Sequence, residues 1–373
     1  MNEETTDKNQ FVDELLQLKK ESYENISLVD YQHLRKIIWI NRIFLLLGFS
    51  TAWIIPNPIS MLFISFALTN MWCIVAHHVC HGGYNRIKGI PKKYHSQRFA
   101  TGWSRFLHWP DWVYPAAWKH EHNVLHHLNT NESLDPDQIS YRQKSSKLSQ
   151  NNWLSRILSM LSWGLWVSLW KALYYAPNTI KAMNEKKNYS HIKNYVLYRR
   201  EIILRCYLPY IVCHFIILPL LFFPLGWYAV LFVLLNRIGA EVITNWHTFL
   251  LIVPSHHGED ISLHNQHFND RSEFYLMQIA STSNYHTGGF WRDYFSGYLN
   301  YQIEHHLFPD LPASQYVRLQ PKIKRLCQRH GINYIQESIF KRIIKLYDVT
   351  QGKKRLKRGH LLLEGGCDEH QPL

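Results

Sequence analysis

Three histidine groups stand out among the 23 histidines of this 373-residue chain: His77-His78-Val79-Cys80-His81, His122-Asn123-Val124-Leu125-His126-His127 and Gln302-Ile303-Glu304-His305-His306. On a helix, residues four apart share a face at about 6 Å, so His77 and His81, and again His122 and His126, can aim imidazoles at one ion. The adjacent pairs His126-His127 and His305-His306 widen the fan towards a second ion. One zinc takes only three or four ligands, so these imidazoles suit two metals better than one. An almost all-nitrogen set fits late first-row metals; iron is preferred if the chemistry is redox, and spacing alone leaves zinc and copper open. A lone histidine such as His81 is most often a helix-end residue bonded to backbone. Three clusters at one face need a common explanation, because otherwise each buried ring needs its own hydrogen-bond partner. His78 breaks the four-residue pairing and is expected behind the ligands. Asp135-Pro136-Asp137, after the second group, reads either as carboxylates supporting an imidazole or as an ordinary turn.

Two pairs of apolar stretches must position these groups. The first covers about 37–55 and 59–76, linked by Pro56, Asn57 and Pro58; the second covers about 206–223 and 225–245, with turn residues Pro219, Pro224 and Gly226 between. Lys19, Lys20, Arg35 and Lys36 precede the first pair, Arg86, Lys88, Lys92, Lys93 and Arg98 follow it, and the turn at 219–226 carries no charge. The positive-inside rule then gives four spans with both termini cytosolic. The expected fold is an all-α membrane protein: four transmembrane helices as two hairpins, with a cytosolic helical cap holding a di-metal site. Its parts are a cytosolic N-terminal segment (1–36), a membrane domain (37–345) and a basic, disordered tail (346–373). Trp153, Ile157, Leu158, Leu161, Leu165 and Leu169 recur at helical spacing, which predicts a helix lying in the membrane interface.

Composition agrees. Only 18% of residues are charged, against about 25% in ordinary soluble domains, and 14% are aromatic. The net charge of +13 is spread over loops beside apolar stretches, which disfavours nucleic acid as partner and favours membrane lipid. Six cysteines show no paired spacing and read as reduced thiols. The first thirty residues lack the order of a secretory signal, so insertion is expected to rely on the internal spans. Arg237 and Glu241, four apart in an apolar stretch, are expected to pair or to lie at the interface rather than to bind a headgroup. Trp112, Trp118, Trp246 and Trp291 could contact substrate but read first as interfacial anchors.

At its histidine groups the chain resembles the membrane fatty-acid desaturases, whose pattern is HxxxH, then HxxHH or HxxxHH, then HxxHH or QxxHH. The run Gly297-Tyr298-Leu299-Asn300-Tyr301-Gln302-Ile303-Glu304-His305-His306-Leu307-Phe308-Pro309 is similar to the third box of the front-end subgroup, which opens with Gln. The resemblance covers roughly 37–329. It implies metal ligation by His77, His81, His122, His126, His127, His305 and His306. It also implies a ligand after the fourth span, where His256 fits better than His257, and leaves Gln302 as a weak or supporting donor. His78 stands where that family commonly has Asp, and no HPGG haem motif is present.

The resemblance further implies two iron ions, dioxygen as co-substrate and an external electron donor, cytochrome b5 or ferredoxin with its reductase. The reaction would place a double bond in a fatty-acyl lipid or thioester held in an apolar tunnel. A lipid hydroxylase or ketolase using the same centre and a histidine-rich metal transporter are the rivals. The membrane is left between a bacterial plasma membrane, slightly favoured, and the endoplasmic reticulum.

Overall fold

The computed structural model describes residues 3–138, 153–185, 192–264 and 267–358. Part of the central basic segment and the end of the tail, 359–373, lie outside them.

Helix α1 (Glu3–Glu24) precedes a hairpin of α2 (Leu28–Ala52) and α3 (Pro58–Cys80). Local chemistry sets the turn. Pro58 opens α3 with a preset φ, and Asn57 caps it by accepting from the Ser60 N–H at 2.8 Å. Buried Asn236 reaches over from the next hairpin, donates to the carbonyls of Ala52 (2.9 Å) and Ile55 (3.0 Å), and accepts from the Asn57 N–H (2.9 Å). Gly48 lets the two helices close up: a Cβ there would stand 2.7 Å from Ile64 Cγ1.

The second hairpin pairs α6 (Tyr195–Leu225) with α7 (Trp227–His256), and Gly226 turns between them at φ +100°. Both helices outrun the expected bounds, because Arg199, Arg200, Glu201 and Arg205 extend α6 outward from its apolar part while α7 continues to His256. Arg237 and Glu241 pair at 2.9 Å inside the bundle, and Glu241 also accepts from Tyr210 (2.6 Å), Trp112 (2.7 Å) and Asn245 (3.0 Å). The pairing expectation holds, and Trp112 is a bundle residue rather than an interfacial anchor.

Among the described residues three helices, α3, α6 and α7, are long and apolar enough to cross a membrane. The expected span at 37–55 falls on the second half of α2, which is not among the three and whose helix carries Arg35, Lys36 and Arg42. Burial separates the three. In α3 67% of the apolar window is buried, against 11% in α6, so α3 is the central helix and α6 the peripheral one.

The cap contains a short helix at 115–126 (α4), a long one at 153–183 (α5), and α8 (Arg271–Ala280), α9 (Gln302–Leu307), α10 (Ala313–Arg329) and α11 (Ile339–Thr350). Along α5, Leu158, Leu161, Leu165 and Leu169 are exposed while Val167 and Trp170 are buried, so its outward face is apolar as an interfacial helix requires. Cys73, Cys80, Cys206, Cys213 and Cys327 are free thiols. The stretch 346–358, expected within a disordered tail, is ordered: it completes α11, and Lys357–Arg358 then pairs in parallel with Ser262–Leu263.

Candidate metal centre

Each histidine group sits where a helix changes pitch. Met71–Ala76 forms a π turn immediately before His77, and Glu121–His126 forms another around the second box, with the His127 N–H bonded to the His122 carbonyl at 3.1 Å. The wider π turn fans side chains that an α-helix would stack, a local device common at functional sites. The third box follows Gly297 and Tyr298, which take φ +62° and +56° and turn the chain towards α9; a Cβ at Gly297 would stand 2.9 Å from Cys73 Cβ.

The eight histidines singled out by sequence converge on two groups of ring nitrogens. His77, His81, His122, His127 and His305 form one; His126, His256 and His306 form the other, the ligating atoms within each lying within 4.8 Å of one another. Each adjacent pair, His126-His127 and His305-His306, is divided between the groups. His77 Nε2 stands 3.0 Å from His305 Nε2 and 3.1 Å from His122 Nε2, which is 3.3 Å from His127 Nε2.

These residues fit a metal. Neutral imidazoles carry one proton each, so nitrogens converging at such distances cannot all be satisfied by hydrogen bonds among themselves. His81 Nε2 and His306 Nε2 are buried with no hydrogen-bond partner. A bound cation would accept all these lone pairs at once. Burial, reinforced by neighbouring imidazoles, holds His81, His122, His127, His305 and His306 well below the usual histidine range, in the neutral form that ligates.

Groups behind the rings fix their orientation. Asp135 Oδ1 accepts from His126 Nδ1 at 3.0 Å, and the Asn131 N–H donates to Asp135 Oδ2 at 2.8 Å. Burial alone would lower His126, yet the Asp135 charge raises it. Asp135 is therefore both turn residue and imidazole partner. Tyr316 OH donates to the Phe308 carbonyl (3.0 Å) and so accepts from His305 Nδ1 (3.3 Å). Glu304 points away from the rings, held by Tyr334 (2.6 Å) and Asn284 (2.8 Å).

The remaining sequence candidates lie outside both groups. The Nδ1 atoms of His78 and His257 are bonded to the carbonyls of Ile74 (2.9 Å) and Val253 (3.0 Å). Gln302 Nε2 is 2.9 Å from His256 Nε2, while its Oε1 is buried without a partner. Asp137 faces the adjoining cavity, and burial pushes its carboxyl up to about 6.

That cavity lies between α3, α4, α5 and α7. His77, His122, His126 and His256 line it together with Trp72, Trp118, Trp170, Tyr175, Phe249, Ile252 and Val253. Trp118 is 1% exposed and stacks on His122 at 4.5 Å, so it belongs to the site and not to an interface. Its position four residues before His122 on one helix was the available signal. Trp246 donates to Ser168 Oγ at 3.0 Å, whereas Trp291 is 55% exposed. Gln278 and Tyr316 also support the rings, with no histidine motif near them in sequence to announce it.

A family model described as fatty acid desaturase matches residues 51–338 of this chain. The chain belongs to the fatty acid desaturase family. Similar proteins include fatty acid desaturase 3 of Homo sapiens, 37% identical over 110 residues (30% of this chain, 23% of that protein). Delta(5) fatty acid desaturase A of Dictyostelium discoideum is 23% identical over 308 residues (76% and 61%). An acyl-lipid (9-3)-desaturase of Physcomitrium patens is 34% identical over 116 residues (31% and 19%). The match covers less than two thirds of each relative's length. The desaturase membership agrees with the histidine boxes, the apolar helices and a centre able to hold metal.

Proposed function

We propose that this desaturase-family chain introduces a carbon–carbon double bond into a fatty-acyl chain, using two histidine-held iron ions, dioxygen and two electrons from a separate donor protein. The observation that carries this reading is the meeting of five and three imidazoles in two groups, four of which, His77, His122, His126 and His256, line a cavity walled mainly by aromatic and aliphatic side chains. His77, His81, His122, His127 and His305 would hold one ion, and His126, His256 and His306 the other. When bound, the iron pair supplies the oxidising power to take two hydrogens from adjacent methylenes.

The chain's own residues supply position. Trp72, Trp170, Tyr175 and Phe249 exclude water and confine an extended acyl segment, because neighbouring methylenes differ little in reactivity and only placement can select among them. Asp135 and Tyr316 keep the His126 and His305 rings aimed. Gln302, whose Nε2 lies 2.9 Å from His256 Nε2 and whose amide oxygen is buried without a hydrogen-bond partner, would support the smaller group from His256's side.

The topology proposed with this function has four membrane-embedded helices, α2 being the fourth. Its exposed Trp39, Ile43, Leu46 and Leu47 would face lipid, and its packing along α3 gives a hairpin that opens on the same side as the α6–α7 hairpin. Both termini and the cap would then be cytosolic.

Purified full chain, loaded with iron in lipid vesicles and given dioxygen and a reductant, should yield acyl chains with a new double bond. Bound zinc with unaltered acyl chains would overturn the proposal, and hydroxylated chains would redirect it to the hydroxylase reaction.

A further inference from the structure

Gln278 lies on α8, outside every histidine motif, yet it touches both metal-binding groups. It is 2% exposed. Its Nε2 donates to the His127 carbonyl at 3.0 Å, and its Oε1 lies 3.0 Å from His306 Nδ1 and 3.1 Å from Thr130 Oγ1. The amide cannot be turned round, since that would set its oxygen against the carbonyl oxygen of His127. Oε1 therefore faces His306. An amide oxygen only accepts, so the proton of His306 sits on Nδ1, and the lone pair of Nε2 points into the group with His126 and His256. That Nε2 is buried without a hydrogen-bond partner.

The rest of α8 makes this placement rigid. Asp270 caps the helix by accepting from the N–H groups of Ser272 (2.7 Å) and Glu273 (2.9 Å). Tyr275, Leu276 and Ile279 are buried in the main core. Thr130, bonded at 2.9 Å to the His126 carbonyl, approaches the same His306 Nδ1 at 3.2 Å. Backbone of the second box and ring of the third are thus joined through one side chain.

We propose that Gln278 is a positioning residue that sets the tautomer of His306 and thereby governs occupancy of the three-histidine subsite. The inference rests on the two-metal reading above. The smaller subsite is the sensitive one: it has three imidazoles against five in its neighbour, so misaiming one ring removes a third of its nitrogen donors. Loss of such a supporting hydrogen bond typically weakens metal binding by about 10–100-fold.

The test titrates ferrous iron alone, without oxygen, into the full-length parent, Gln278→Leu and Gln278→Glu, with thermal melting of each metal-free protein alongside. Two irons per chain in the parent, one tight iron with the second weakened about 10–100-fold in the Leu variant, and two retained in the Glu variant, whose buried carboxyl in its protonated form donates to the His127 carbonyl and still accepts from Nδ1–H, is the expected pattern. If the Leu variant does not fold, Gln278→Asn, which draws the amide back by one methylene, is expected to lose the second iron in its place. Two undiminished irons in the Leu or Asn variant, or equal loss of both irons, would overturn the role of Gln278 while leaving the two-metal reading intact. A parent that binds fewer than two irons would overturn both.

Discussion

At the scale of residues, the two groups differ in redundancy, and that difference is measurable. His305→Ala takes one imidazole from five, whereas His306→Ala takes one from three. We expect His306→Ala to lose more bound iron than His305→Ala under anaerobic titration; equal losses would count against the division into subsites. Asp135→Asn replaces the charged acceptor behind His126 with a weaker one. Iron affinity by chelator competition should fall about 10–100-fold with the fold retained, and unchanged affinity would show that Asp135 serves the turn alone. The histidines were legible in the sequence because i, i+4 spacing and adjacency encode convergence directly. Gln278 was not, since its link to His306 is tertiary and nothing in its neighbours, Met277 and Ile279, hints at chemistry. Trp118 was misread because an aromatic near a membrane helix has two possible homes, and only its stack on His122 separates them.

At the scale of elements, α11 clamps the end of α7 beside His256. Arg342 is fully buried, donates to both oxygens of Asp260 (2.7 and 2.8 Å), and reaches the carbonyls of Pro254 (3.1 Å) and His257 (3.2 Å). Arg342→Met would leave Asp260 with Lys345 alone and the carbonyls of Pro254 and His257 without their donor, and should cost about 1–3 kcal/mol of stability. Although burial alone would raise it, Arg342 and Lys345 hold the Asp260 carboxyl below its ordinary value of 3.8. A depressed carboxyl stabilises the fold above its unfolded value, and this contribution is lost as pH falls through the folded one. The Tm gap between parent and Asp260→Asn should therefore be full at neutral pH and shrink below about pH 4; a gap unchanged in acid would contradict the pairing. Sequence periodicity located α3, α6 and α7, whose apolar runs are long. It placed the first span on the second half of α2, where the apolar part is short and the helix continues through Arg35, Lys36 and Arg42. The ordered stretch after 346 was missed because its anchor is a distant strand, Ser262–Leu263, invisible to local composition.

At the scale of the whole molecule, the apolar helices converge on one cap, where the wide faces of α5 and α7 close a ring-walled cavity against the histidines. If α2 is membrane-embedded as proposed, Leu46→Cys, although 70% exposed on the protein, should resist a membrane-impermeant thiol reagent in intact membranes, while Lys92→Cys should react from one side. Reaction at Leu46→Cys would return α2 to the aqueous cap. The measurement that tests the central claim most directly is mass spectrometry of lipids from a host expressing this chain beside its His305→Ala, His306→Ala variant, with metal quantified in both purified proteins. New double bonds in acyl chains and about two irons per chain, both absent from the variant, are the predicted result. Unchanged lipids with zinc in place of iron would contradict the account.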